Sequence, residues 1–227
     1  METIGFIGAY DKTDLIIYVA KILQSLEKRV MVVDTTITQK TRYVVPVVNP
    51  TITYITDFEK IDFAVGFKNI EEIKQYLKLE KTEELPYDYI LIDVDRKKYL
   101  KTFEIEKANK NYFVTAFDNF SLKRGITVLE AIEFPIMITK ILFSHNLRKE
   151  DDERLEFLSM ECNIKWNDYV IYFDRSYSDV QAIEYNQSME QITFKSLSNE
   201  YKEGIMYLVL DIFSEANKSI IKKAMKN

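Results

Sequence analysis

A lysine and a threonine, Lys12-Thr13, stand in the loop between a short apolar run and a helical pattern. That placement suits phosphate chemistry. A loop that cradles phosphates needs small residues whose backbone N–H groups wrap the oxygens, a lysine that reaches the terminal phosphates, and a hydroxyl that binds Mg²⁺. Gly8 opens the turn Gly8-Ala9-Tyr10-Asp11-Lys12-Thr13. Two later apolar runs end in carboxylates, Asp34 and Asp93, and with them the constellation is far more specific than Lys-Thr alone. A plainer reading stands beside it. Lys12 and Thr13 could cap and solubilise the first turn of a helix, and Asp34 and Asp93 could be strand-end carboxylates facing solvent.

The elements that must position these residues follow from the pattern. Thr3 to Ile7 is short and apolar, as expected of a strand covered on both faces. Ile16, Val19, Ala20, Leu23 and Leu26 recur at helical spacing, and Glu27-Lys28-Arg29 closes that helix. Val30 to Asp34 is a second buried strand, so the opening is a βαβ unit with a right-handed crossover. Short strands are predicted over Ile52–Ile55 and Phe63–Val65 around Gly66, then a helix over Asn69–Leu79 and strands over Tyr89–Asp93 and Tyr112–Ala116. A helix over Leu122–Glu133, a strand over Ile136–Phe143, a helix over Glu150–Met160, a strand over Asp168–Phe173 and a helix over Tyr177–Tyr185 continue the alternation. One final helix is predicted from about Asn199 to the end. Strands alternating with helices imply a doubly wound, mostly parallel α/β sheet flanked by helices, and residues 1–227 read as one domain.

Composition bounds the chemistry. Hydrophobic residues make up 47% of the 227, enough for a real core. The net charge of -5 argues against broad nucleic-acid binding, so none is expected. With Cys162 the one cysteine and His145 the one histidine, no intrachain disulfide is available and no metal site of the Cys/His kind is expected. Cys162 reads as a buried or half-buried small side chain, and His145 as a strand-end surface residue. No signal pattern opens the sequence and no apolar stretch reaches the ~20 residues of a membrane span, which implies a cytoplasmic location.

The first 34 residues resemble the opening of the MinD/ParA P-loop ATPases: a strand, a KGGxGKT-type loop, a long helix and a "GkrVlliD" strand. Ser25 through Asp34 matches that last stretch, and Tyr87-Asp88-Tyr89-Ile90-Leu91-Ile92-Asp93 is similar to the family's "yDyiiiD" strand, which carries the Walker B acid. Val114-Thr115-Ala116 with Ser121 to Gly125, and Ile171 to Asp174, are similar to later family segments in the same order. The resemblance implies a P-loop fold, with Gly8, Asp11, Lys12, Thr13, Asp34 and Asp93 as the cofactor-binding residues of a nucleotide site. The chain also departs from that pattern. Asp11 replaces the glycine before the family's lysine, and its carboxylate would face the ligand's negative charge at a cost of about 4 kcal/mol at ~4 Å and an effective dielectric of 20. The lysine that reaches across the family's dimer aligns with Ile7, the second water-handling aspartate with Thr36, and the switch glycine with Lys97.

These losses fall on phosphate wrapping, cross-dimer charge, water activation and switch mobility, on which phosphoryl transfer depends. The reading is therefore a vestigial site without a cofactor, in a protein similar to degraded relatives such as CpaE/TadZ. The implied role is a positioning or scaffolding partner of a larger assembly, such as a pilus or secretion apparatus. Protein partners and a homodimer are expected. The alternative is a slow ATPase that uses Lys12 and Thr13 with ATP and magnesium. The last residues, Ser219 to Asn227, place Ile220, Ile221, Ala224 and Met225 on one face among lysines. That helix is expected to pack on its own domain, and contact with a membrane periphery is the lesser reading. Asp151-Asp152-Glu153 reads as a solvated helix start, and Trp166, Tyr177, Tyr185 and Tyr201 as either core or a protein-binding patch.

Overall fold

The computed structural model describes residues 1–48, 50–144 and 149–226. Its centre is a sheet in the order β3-β4-β2-β5-β1-β6-β7-β8. The strands are β1 (Glu2–Ile7), β2 (Val30–Asp34), β3 (Tyr54–Phe58), β4 (Ile61–Val65), β5 (Tyr89–Val94), β6 (Lys110–Ala116), β7 (Ile136–Phe143) and β8 (Ile164–Phe173). All pairings are parallel except β3 with β4, which form a hairpin. The inner strands are apolar on both faces because helices cover both. One layer holds α1 (Thr13–Ser25), α7 (Tyr177–Ser188), α8 (Asn199–Ile212) and α9 (Lys218–Ala224), whose apolar faces join one core cluster. The other holds α3 (Ile70–Tyr76), α4 (Lys97–Thr102), α5 (Asn119–Leu129) and α6 (Lys149–Ser159), packed on a second cluster. A single turn of helix, α2 (Thr41–Val44), follows β2. The connection from β1 runs to β2 toward one sheet edge, and that from β5 crosses β1 to β6 toward the other, which puts a topological switch beside β1.

Helix starts are set by side-chain caps. Asn69, Asp118, Ser176, Ser198 and Asn217 each accept a hydrogen bond from a first-turn amide of the helix that follows. Asp179 completes a capping box with Ser176 and also accepts from the Ser198 amide and hydroxyl, so one buried carboxylate ties α7 to α8. The predicted final helix is two helices. Phe213 leaves the helical path to sit near the Tyr89 ring and under the Lys28 ammonium, and Asn217 then caps α9. The strand predicted over Ile52–Ile55 is displaced to β3, with Ile52 exposed outside it. α2 and α4 are additional helices, too short to show a period. His145 lies outside the described residues. Cys162 is half-buried, Tyr201 is core, and Tyr177 and Tyr185 are exposed. No helix among the described residues is long and apolar enough to cross a membrane.

Candidate functional site

The turn between β1 and α1 lies at the C-terminal ends of the central strands. Gly8 is needed there. Its φ of +139 is one that side chains rarely adopt, and a Cβ would come within 2.2 Å of the Val114 carbonyl oxygen. Its amide donates to Val94 O at 3.0 Å, which anchors the turn to β5. Asp34 and Asp93 are direct neighbours in the β2–β5 register, so two carboxylates stand side by side under the turn. Both are buried, which overturns the reading of solvent-facing strand ends.

Lys12 resolves that charge. Its ammonium lies 2.6 Å from Asp93 Oδ1 and donates to Gly8 O at 2.7 Å. The Lys12 side chain is 1% exposed and that of Asp93 3%, so the pair is sealed from water. Burial pushes the Asp93 carboxyl up to about 7, against the pull of Lys12 and with the help of the neighbouring Asp34 charge. Asp34 is satisfied by neutral donors. Its Oδ1 accepts from the Thr36 amide at 2.9 Å and hydroxyl at 2.6 Å, and its Oδ2 from the Thr41 amide at 3.1 Å. Thr13 is the first residue of α1 and is buried, and Lys12 occupies the N-cap position without a side-chain cap bond. The capping and solubilising role considered for the two residues is therefore not the one they have.

Asp11 turns away from Lys12. Its Oδ1 accepts from the Thr13 amide at 3.2 Å and its Oδ2 from Lys40 Nζ at 2.6 Å. Burial opposes its ionisation, but the Lys40 charge and these hydrogen bonds outweigh burial and hold the carboxyl below its ordinary range. Lys40 also reaches Asp14 Oδ2 at 2.6 Å, and Gln187 of α7 donates to Asp14 Oδ1 at 2.7 Å. The loop after β2, the turn after β1 and α7 are thus latched together. The Arg175 guanidinium, from the segment after β8, lies against Tyr10, and its Nε is buried without a partner among the described residues.

The structure therefore brings Gly8, Lys12, Thr13, Asp34 and Asp93 together and sets Asp11 at the rim. Sequence reasoning missed Lys40, Thr41, Asp14, Gln187 and Arg175. No spacing rule links residue 40 to 11 or 187 to 14, and the only signal was a cation in a polar segment after β2. The other flagged positions have structural partners. Ile7 is fully buried in the core, Thr36 serves Asp34, and Lys97 pairs with Glu130 at 3.0 Å.

Solved structures share this architecture. A MinC:MinD cell division complex from Aquifex aeolicus aligns at TM-score 0.62 and 14% identity over 96% of this chain and 97% of that one. A plasmid partition protein from Borrelia burgdorferi bound to AMPPNP aligns at 0.58 and 14% over 93% and 99%. A ParA family ATPase from Chlorobium tepidum aligns at 0.54 and 15% over 99% and 97%. At these identities the likeness establishes the fold: a MinD/ParA-type P-loop NTPase architecture. No protein-family model matches the sequence, and no curated protein matches it.

Proposed function

We propose that the chain is a non-hydrolysing MinD/ParA-like protein, a pseudo-ATPase that positions or scaffolds a larger assembly through protein partners. One observation carries the reading: the Lys12 ammonium is committed to Asp93 and Gly8 inside the protein. A triphosphate would have to extract it, strand a buried carboxylate, and compete with Asp11 for the Thr13 amide. A magnesium ion would have to displace the Thr36 and Thr41 donors from Asp34. In this arrangement the residues present do not fit a magnesium–triphosphate. The MinD structure that shares the fold is of a complex with MinC, which supports a protein partner here. A machine of the pilus or secretion kind, as for CpaE/TadZ proteins, is the narrower form of the same proposal.

The second reading, a slow ATPase, has its own support in the unpartnered, buried Nε of Arg175 beside the turn, a donor suited to an anion. Calorimetric titration with ATP and Mg²⁺, followed by phosphate release from wild type, Lys12→Ala and Arg175→Ala, separates the two. No binding heat and no Lys12-dependent release are expected. Tight binding with release lost in Lys12→Ala overturns the first reading.

A further inference from the structure

Two surfaces that share no residue with the turn carry opposite charge and lie in opposite helical layers. In the layer of α8 and α9, a groove of about 700 Å³ runs between the segment before α8, α8 itself and α9. Lys195, Lys202, Lys222 and Lys226 rim it, with Phe194 and Met206 at its floor and Glu203 as the one acid in its lining. Four lysines around one groove stand out on a chain whose net charge is -5. In the other layer, α6 presents Phe157, 72% exposed, with Met160 one turn on. Around them lie the exposed acids Glu150, Glu153 and Glu161. Glu153 and Phe157 share one helix face at i, i+4 spacing. Buried Lys140 fixes α6 from beneath through Asp152 at 2.7 Å and Glu156 at 2.9 Å, so the knob sits on a rigid support.

We propose that the acidic, aromatic face of α6 on one copy seats in the lysine-rimmed groove between α8 and α9 of a second copy, and that the chain assembles head to tail. Charge complementarity selects the occupant: an apolar knob ringed by carboxylates meets an apolar floor ringed by ammonium groups. A groove of this volume falls within the ~300–1,000 Å³ of clefts that seat a ligand-sized group. Because knob and groove are different surfaces, the contact is heterologous. A copy that fills a neighbour's groove still offers its own, so the contact propagates unless it closes into a ring. Neither surface includes a residue of the turn, so the contact is independent of nucleotide there.

Sedimentation velocity across a concentration series tests it. Wild type is expected to form species larger than dimers as concentration rises, and to lose them at about 1 M salt, where the screening length is ~3 Å. The pair Lys222→Glu/Lys226→Glu destroys the groove, and the pair Phe157→Ser/Met160→Ser removes the knob's apolar tip without adding positive charge that could pair with the reversed groove. Each is expected to sediment as a monomer alone. Mixed in equal amounts they should form a dimer and no larger species, since one supplies the sound knob and the other the sound groove; that dimer also shows that both variants are folded. A wild-type chain that stays monomeric at its solubility limit overturns the proposal. So does a closed dimer indifferent to both pairs of substitutions. Capture of anionic vesicles that is lost in the groove variant, without self-association, would assign the groove to a membrane instead.

Discussion

Lys12→Met is the sharpest perturbation of the site. In a loop that holds its lysine ready for phosphate, removing the ammonium costs binding and little stability. Here the ammonium neutralises a carboxylate whose side chain is 3% exposed. Breaking a buried pair from one side leaves an uncompensated charge, and about 3–5 kcal/mol of unfolding free energy should be lost near pH 8. The pH dependence gives a second handle. Asp93 already stands at about 7 against an ordinary 3.8, so the folded state binds its proton more tightly than the unfolded chain does. A raised carboxyl of this kind contributes stability that is complete below about pH 4 and is lost as pH rises through about 7, on the order of 4 kcal/mol at ~1.4 per unit. Without Lys12 the carboxyl rises further, so the defect of the variant should shrink as pH falls from about 8 to 5 and Asp93 takes up its proton. Urea unfolding followed by circular dichroism at a series of pH values reads both effects. The double variant Lys12→Met/Asp93→Leu removes both charges and should return to wild-type stability or exceed it by about 1–4 kcal/mol. A single variant that loses under about 1 kcal/mol, or a double variant as unstable as the single, refutes the sealed-pair argument.

Other perturbations test the surrounding geometry. Gly8→Ala must accommodate both a φ of +139 and a Cβ 2.2 Å from Val114 O, so a loss of about 3 kcal/mol or more, or failure to accumulate as folded protein, is expected in the same unfolding assay. Lys40→Met leaves the nearly buried Asp14 without its cation, while Asp11, 48% exposed, stays open to water; it should cost about 1–2 kcal/mol near neutral pH. Because Lys40 holds the Asp11 carboxyl low, that part of the stability is present above about pH 4 and is lost as pH falls through the depressed value, so the variant and wild type should converge in acid. Lys140→Met should release α6, because Asp152 and Glu156 lose their shared cation; faster amide exchange confined to α6 and the end of β8 is the expected readout.

The central strands were legible because burial on both faces leaves a continuous apolar run. Val30 to Asp34 and Ile136 to Phe143 end where the runs end. The hairpin was less so. Thr51 to Ile55 carries the right residue types, yet pairing with β4 through residues 54 to 58 fixes the register from a partner strand, and no local pattern records that. Composition also concealed the break after α8, since Phe213 suits a helix and leaves it only because Tyr89 and Lys28 offer its ring a place. At the site, residue identities were readable and their allegiances were not. Asp11 was expected to intrude on phosphate; its partner is Lys40, which comes from the loop after β2. Thr36 registered as a missing acid, while its function in the fold is to donate twice to Asp34. Pairings between residues 29 positions apart in sequence arise from topology, and a sequence states topology only indirectly.

The two carboxylates explain why these allegiances hang together. Asp34 and Asp93 are neighbours on adjacent parallel strands next to the sheet's switch point. A fold that places two acids there must supply compensating charge, or give up ionisation of one. A bound cation is one solution and an internal ammonium is another. In this chain Lys12 takes the second course for Asp93, while three neutral donors hold Asp34, and Asp93 is still pushed up to about 7. The charge balance is therefore closed by the protein, with the cation supplied by Lys12. Placing a glycine at position 11 would not by itself free Lys12, which would keep its two partners. Asp11→Gly alone should gain no ATP-binding heat, whereas Asp11→Gly with Asp93→Asn frees Lys12 from its counter-charge and is the variant in which binding should first appear. Binding regained by Asp11→Gly alone would place the block at the rim and not at the buried pair.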